Sequence, residues 1–549
     1  MKRTSLFAVS WLVVLGLSAA QARTPIFLGK SAERWQDQLS DSDAKVRRSA
    51  AFALGRMGED SRYAAPALTR LVLQDADAGV RDMAASALGD ITRALKGNAP
   101  DVWEKASGTL VKALEEDKDA HVRRSAAYAL GAFGPTGRDA APSLRKALKD
   151  ANASVRQNAA WALGQIGERA GEAGVGSLCE CLSDKDTLVR RDAAGALGSM
   201  GKFGTAGAAP LIDLVNSETD EVVKKTALDS LAHVAGPEHE KFARGLKPLL
   251  EDKDAEVRLS SAIVLTRIGG PSSTDALPVL QKALKDADPH VQELAAAALA
   301  NLGPNAEPAK FDLADALGNP KNSTMVRRNA ALAIAHIGKE AKPVVPAIVK
   351  ALKASEPLDV RRYAAEALAQ MKYPANEAAI PAALDAIEND TDPLVRQKCV
   401  WSLFGIGTAE QFRDCGADKA LTKLLDARGD DLNLVRYDAA RKLANVLGPD
   451  APDKTVDVLL DMLKNKSLKV YNRTDAKVSG AGTEATAGQA TVQANLGGDA
   501  RYMAAEALGW MKGKSKARKD VMEALKEASK GEDPKLRKTA EDSLKDLEK

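Results

Sequence analysis

Asp43-Ala-Lys-Val46-Arg47-Arg-Ser-Ala50-Ala51-Phe-Ala53-Leu54-Gly55-Arg-Met57-Gly58 is the stretch on which the reading of this chain turns. Its pattern, Asp-x-x-Val-Arg-x-x-Ala-Ala-x-Ala-Leu-Gly-x-Ile/Met-Gly, returns along most of the 549 residues. Anchored on the Val, copies stand at Val46, Val80, Val122, Val155, Val189, Val223, Val257, Val291, Val326, Val360, Val395 and Val435. Degenerate copies at Ala500 and Leu536 bring the count to fourteen. The four steps from Val155 to Val291 are 34 residues each. A fixed period of this length is the signature of a stacked solenoid. Three steps are longer: 42 residues after Val80, 40 after Val395 and 65 after Val435. Such breaks in a regular array are expected to hold loop insertions.

Each copy reads as a helix. Val189, Ala193, Leu197 and Met200 recur three or four apart, the stripe of an amphipathic helix. Asp186 stands three before the anchor, where its carboxylate can cap the first free amides, and Gly201 closes the helix. A second helix precedes each anchor and often opens on proline, as at Pro66, Pro142, Pro210, Pro278, Pro346 and Pro381. One helical pair cannot bury its apolar face alone, whereas a stack shares one continuous core. The expected fold is therefore all-α: a solenoid of about fourteen stacked helical hairpins forming a curved superhelix.

The repeated phrase resembles the HEAT repeat, in the variety first associated with phycobiliprotein lyases. The resemblance covers about residues 31–549 apart from the insertions. It implies a scaffold or binding surface more than a particular chemistry. Lyase activity would rest on kinship of the repeat alone.

The N-terminus carries Lys2 and Arg3, an apolar run from about Leu6 to Ala20, and Ala20-Gln21-Ala22. These are the parts of a secretory signal peptide, with cleavage expected after about Ala22. The expected organisation is a signal peptide over 1–22 and a solenoid over 23–465. A non-helical insertion follows over 466–499, within the thirteenth repeat. Residues 500–549 supply the last helix of that repeat and a C-terminal capping repeat. The mature chain is expected to be exported (periplasmic or extracellular), monomeric and without a membrane span.

Charge is balanced. Leaving out Lys2 and Arg3 takes the basic count from 78 to 76, against 75 acidic residues. That argues against a nucleic-acid partner, which calls for a basic stripe. The one basic stretch, Lys512 to Lys519, is expected to be a solvated loop and helix start. The four cysteines show no disulfide framework. The five histidines, His121, His233, His239, His290 and His336, are scattered without metal-ligand spacing. Deoxyhypusine hydroxylase, an enzyme with HEAT-like repeats, has His-Glu pairs in several units. Here the only such dipeptide is His239-Glu240, so that activity is not expected. No catalytic constellation and no cofactor are assigned.

The most repeated polar residues are the Asp three before the anchor and the Arg one after it. Asp43 and Arg47, Asp77 and Arg81, Asp119 and Arg123, Asp186 and Arg190, and Asp254 and Arg258 are examples. They are expected to form a structural ladder that caps helices and sets register between repeats. An anion-binding row is the alternative.

Recognition is expected instead where the phrase varies. Positions two, six and ten after the anchor share one stripe of the second helix. It carries Arg48 and Phe52, Arg124 and Tyr128, Gln157 and Trp161, Gln397 and Trp401, and Tyr502 and Trp510. Aromatic rings flanked by Arg and Gln are the residue types of protein-recognition hot spots. The sequence thus points to an exported, non-enzymatic scaffold or adaptor binding a protein or peptide on its concave face. The alternatives are a lyase-type accessory enzyme or cofactor-binding protein, and a polyanion or envelope-surface binder.

Overall fold

A computed structural model describes residues 26–96, 98–426, 430–465, 469–471 and 496–549. The expected signal peptide lies outside the described residues, as does most of the 466–499 insertion. The chain divides into two compact units, Met1–Phe203 and Gly204–Lys549.

Each unit is a stack of helical pairs. In the first unit the pairs are Ala32–Asp37 with Ala44–Met57, Ala65–Gln74 with Ala78–Ala94, and Pro100–Glu116 with Ala120–Ala132. Ala141–Ala147 with Ala153–Ile166 and Gly171–Cys181 with Thr187–Ser199 complete it. The second unit continues from Ala208–Ser217 with Glu221–Val234 to Lys519–Ala528 with Pro534–Glu548. Short 3-10 segments such as Gly58–Ala64 and Gly134–Ala140 link one pair to the next.

The phrase explains the packing. Val155, Ala159, Ala160 and Leu163 are fully buried, and the same positions repeat this in neighbouring copies. Asp43, Asp119 and Asp254 cap their helices by accepting backbone amides at 2.7–2.8 Å, each worth about 1 kcal/mol. Gly58 turns the chain out of its helix at φ +60, a conformation that penalises any side chain.

The first two of the longer steps resolve differently from the loops expected. After Val80 the added residues lengthen helices: Ala78–Ala94 and Pro100–Glu116 are 17 residues each. Ile91, Val102, Ala106 and Leu110 keep the apolar period and are buried, so extension gains core that a loop would not. After Val395 a short extra helix, Ala409–Asp414, buries Phe412. In the third step, Lys469–Tyr471 pairs antiparallel with Leu496–Asp499, between helices Asp453–Lys464 and Tyr502–Trp510. Another small ladder, Ile26–Phe27 with Lys30–Ser31, precedes the first pair, where the Trp35 indole donates to Phe27 O at 2.9 Å.

Among the described residues no helix is long and apolar enough to cross a membrane. Cys179, Cys181, Cys399 and Cys415 are free. Burial pushes the Cys181 thiol up to about 11 and raises that of Cys399 further, which makes both poor nucleophiles.

Candidate functional site: the turn edge and the second-helix face

The turn between paired helices is built by one Arg and two Asp. Arg47 donates through Nη1 to the carbonyls of Asp41 and Ser42 in its own turn, at 2.8 and 3.0 Å. Its Nε and Nη2 then chelate Asp75 of the next turn, at 2.7 and 2.8 Å. Arg81 with Asp117, Arg123 with Asp150, Arg156 with Asp184 and Arg361 with Asp390 repeat this fork. The carboxylate partner is therefore five residues before the next anchor, not three before it as the sequence suggested. Asp77 instead caps its own helix, accepting from Val80 N at 3.0 Å, and Asp186 does the same for Leu188 N at 2.9 Å. The two acids divide the work because the helix start consumes the nearer one, while the farther one faces the preceding repeat. Asp75 also accepts from Asp77 N at 2.9 Å, which fixes the turn. The Arg47 guanidinium holds the Asp75 carboxyl below the usual carboxylate range, and Arg156 does so for Asp184. Arg190 and Arg258 make the own-turn carbonyl contacts, to Asp184 O at 2.9 Å and Asp252 O at 2.6 Å.

Positions two and six after the anchor are mostly half-buried or buried, whereas position ten is open at Arg56, Gln165, His233 and His336. The first two positions pack between adjacent second helices. In the seventh and ninth copies they carry Leu259, Ile263 and Leu332, all buried. Beneath the third and fourth copies the room is made by the glycine nine after the preceding anchor, whereas the seventh and ninth copies pack over Ala232 and Ala300 at that position. A Cβ on Gly89 would lie 2.5 Å from Tyr128 Cε1, and one on Gly131 would lie 2.7 Å from Trp161 Cζ3 and 2.6 Å from Ala162 Cα. Each glycine is thus a seat for the ring of the following helix. Tyr128 and Trp161 stack at 5.5 Å and 24° across that row, each half-buried.

Polar tethers fix these side chains. The Tyr128 hydroxyl donates to Asp90 at 2.7 Å and accepts from Arg93 at 3.1 Å. Burial, with the Asp90 carboxylate beside it, pushes its phenol up. Gln157 donates to Asp192 at 3.0 Å, and Arg124 pairs with Asp82 at 3.3 Å. In the second unit Asp438 accepts from both Gln397, at 2.8 Å, and the Trp401 indole, at 2.7 Å. Gln397 is buried and Trp401 half-buried, with Lys398 over its ring at 4.9 Å. Tyr502 lies under Lys535 at 3.7 Å, and Trp510 is half-buried. Of the ten stripe residues named from the sequence only Arg48 and Phe52 are exposed, and Arg56, Gln165 and Glu506 of the same expected stripe are exposed as well. Phe52 meets Phe27 edge-on, with centroids 6.3 Å apart.

The structure brings two features into view that the repeat pattern hid. Lys442 is fully buried between Phe404 and Phe412 and donates to Ile406 O at 2.7 Å. It stands at a core position of the twelfth copy, so its charge was the only available signal. The basic Lys512–Lys519 stretch has cations committed within the chain: Lys514 to Asp453 at 2.8 Å, and Arg518 to Asp457 and Asp520, both at 2.8 Å. Among the described residues no group of His, Cys, Asp and Glu is placed to hold a metal ion.

Comparison with known proteins places the fold. HEAT repeats match over residues 32–105, 107–173, 141–232, 243–335, 312–404 and 345–444. No curated protein matches the chain. An engineered protein of known structure is 26% identical over 62% of this chain and 98% of its own, with a TM-score of 0.49. Kap95p, whose binding induces the switch loops of RanGDP to adopt the GTP-bound conformation, is 14% identical. That match covers 94% of this chain and 72% of Kap95p, with a TM-score of 0.51, and shows a shared solenoid fold. Importin beta is 15% identical over 94% of this chain and 77% of its own, with a TM-score of 0.47. The repeat matches span most of the chain and fall on the stacked helical pairs, so the chain belongs to the HEAT-repeat family.

Proposed function

We propose that this chain is an exported, non-enzymatic scaffold that binds a protein or peptide along the faces of its second helices. The observation that carries the reading is the Tyr128–Trp161 stack, half-exposed yet fixed on glycine seats and tethered through Asp90 and Arg93. Rings held this way lose little conformational freedom on binding, which is the property of a good anchor. Gln397 and Trp401, joined through Asp438, supply a second anchor held by hydrogen bonds. Export is supported by the basic, apolar and Ala-Gln-Ala pattern of residues 1–22. The commitment of Lys514 and Arg518 to internal carboxylates weighs against a polyanion-binding role for that stretch.

The test is affinity capture from the extracytoplasmic fraction with mature protein as bait, read by mass spectrometry. Trp161→Ala and Trp401→Ala should each lower recovery of the same partner at least tenfold, with far-UV circular dichroism unchanged. Unchanged recovery in both variants would place recognition elsewhere. Protein recovered only from the cytoplasm, with its N-terminus uncut, would refute export.

A further inference from the structure

Within the second unit the joints between consecutive second helices are not equivalent. Arg361 chelates Asp390 at 2.9 and 3.2 Å, Arg327 pairs with Glu356 at 2.7 Å, and Lys224 meets Asp252 at 3.4 Å. Between helices Ala255–Ile268 and Pro289–Asn301 the corresponding pair would be Arg258 with Asp286. It is absent: among the described residues no side-chain hydrogen bond or ion pair joins these two helices. Arg258 is held only by its own turn, through Asp252 O at 2.6 Å and Lys253 O at 3.0 Å. Asp286 is exposed, whereas its counterpart Asp390 is buried.

The core reports the same opening. Among the described Val anchors of the second unit, from Val223 to Val435, every other one is at most 1% exposed, but Val291 is half-buried, as Val46 is in the first repeat of the chain. The following joint is not loosened in this way, although Gln292 replaces its Arg. There Ser323 donates to Glu293 at 2.7 Å and His336 Nδ1 lies 2.7 Å from Ala300 O. The helix before the gap is also poorly fixed. Ser261 Oγ and Arg267 Nε are buried without hydrogen-bond partners. Its first partner, Pro237–Glu251, is a 3-10 helix with Pro248 inside it, and the chain leaves Ala255–Ile268 itself through Gly269 and Gly270, both at positive φ. Adjacent glycines in that region accept backbone rotation at low cost.

We propose that the joint between Ala255–Ile268 and Pro289–Asn301 is a hinge, open as described, at which the second unit bends while the joints held by ion pairs stay fixed. Closure brings Asp286 onto the Arg258 fork, whose orientation the two carbonyls already set, and covers Val291. The two positions differ by one half-buried fork and one apolar side chain, so both are accessible at equilibrium.

The test compares two joints by paired spin labels, with Cys179, Cys181, Cys399 and Cys415 changed to Ala. Glu256→Cys with His290→Cys spans the proposed hinge, and Asp359→Cys with Leu394→Cys spans the Arg361–Asp390 joint. All four labelled positions are exposed. The distance distribution should be at least twice as broad across the hinge. Equal widths would overturn the proposal. A second measurement needs no cysteine changes. Asp286→Ala, which removes only the turn bond from Asp288 N at 2.9 Å, should lower the melting temperature by less than half as much as Asp390→Ala, which also breaks the fork. Equal losses from both would show a locked joint and likewise overturn it.

Discussion

Lys442 offers the sharpest quantitative check on the packing. It is fully buried, lies about 5.5 Å from the Phe404 and Phe412 ring centroids, and has one hydrogen-bond acceptor, Ile406 O. An ammonium has three donors, so burial with a single acceptor disfavours the charged form. Burial pushes its pKa from 10.5 down to about 8. That drop corresponds to about 3 kcal/mol of destabilisation at neutral pH. The sign follows from proton binding. Below about pH 8 folded and unfolded chains both carry the charge, and the folded one bears the full burial cost. Between about 8 and 10.5 only the unfolded chain holds the proton, so stability rises with pH across that window. Lys442→Met removes the charge and fills similar volume, but leaves Ile406 O without its donor at a cost of about 1 kcal/mol. The variant should therefore be about 2 kcal/mol more stable than wild type at pH 7. Its advantage should shrink by about 2 kcal/mol at pH 9.5. Urea unfolding at the two pH values, with hydrogen exchange of helix Asp430–Leu447 as the local readout, measures both quantities. A variant that is less stable at pH 7, or whose difference from wild type does not change with pH, would refute the reasoning.

Gly131→Ala should destabilise by about 1–3 kcal/mol, because its Cβ would meet the Ala162 backbone at 2.6 Å and no side-chain rotation relieves that contact. Trp161 fluorescence should shift with it, and a silent, neutral substitution would refute the glycine-seat account. In the turn ladder, Asp150→Ala should cost about 2–3 kcal/mol by leaving Arg123 unpaired, while Asp119→Ala should cost about 1 kcal/mol as a lost cap. Equal costs would mean that the two acids do not divide the roles. The fork carboxylates Asp75 and Asp184 are held below their ordinary range. Their contribution is therefore complete above about pH 4 and is lost as pH falls through the lower folded values. Urea midpoints for wild type and Asp75→Asn should converge on acidification below pH 4. A gap that stays constant down to pH 2 would refute the linkage.

The period of the Val-Arg-x-x-Ala-Ala phrase was enough to place the helical pairs, because burial in a stack demands the same apolar spacing in every unit. Capping by Asp43 and Asp119 was equally legible, since a helix start is local chemistry. The choice between Asp75 and Asp77 as the partner of Arg47 was not. Both acids lie in the same turn, and only the stacking of one repeat on the next decides which faces the guanidinium. The stripe was legible as residue types but not as exposure. Whether Tyr128 and Trp161 stand in solvent depends on Gly89 and Gly131, which lie one repeat away.

The sequence by itself therefore determined the repeating pair, its caps and its core, since each is set by contacts within about one period. The tertiary structure alone decided which carboxylate each Arg holds, how deeply each ring sits, that the extra residues after Val80 extend helices, and that the Arg258–Asp286 pair is unmade. Those outcomes depend on the distance and angle between neighbouring units. That geometry is summed from many side-chain volumes, and no single copy of the phrase encodes it.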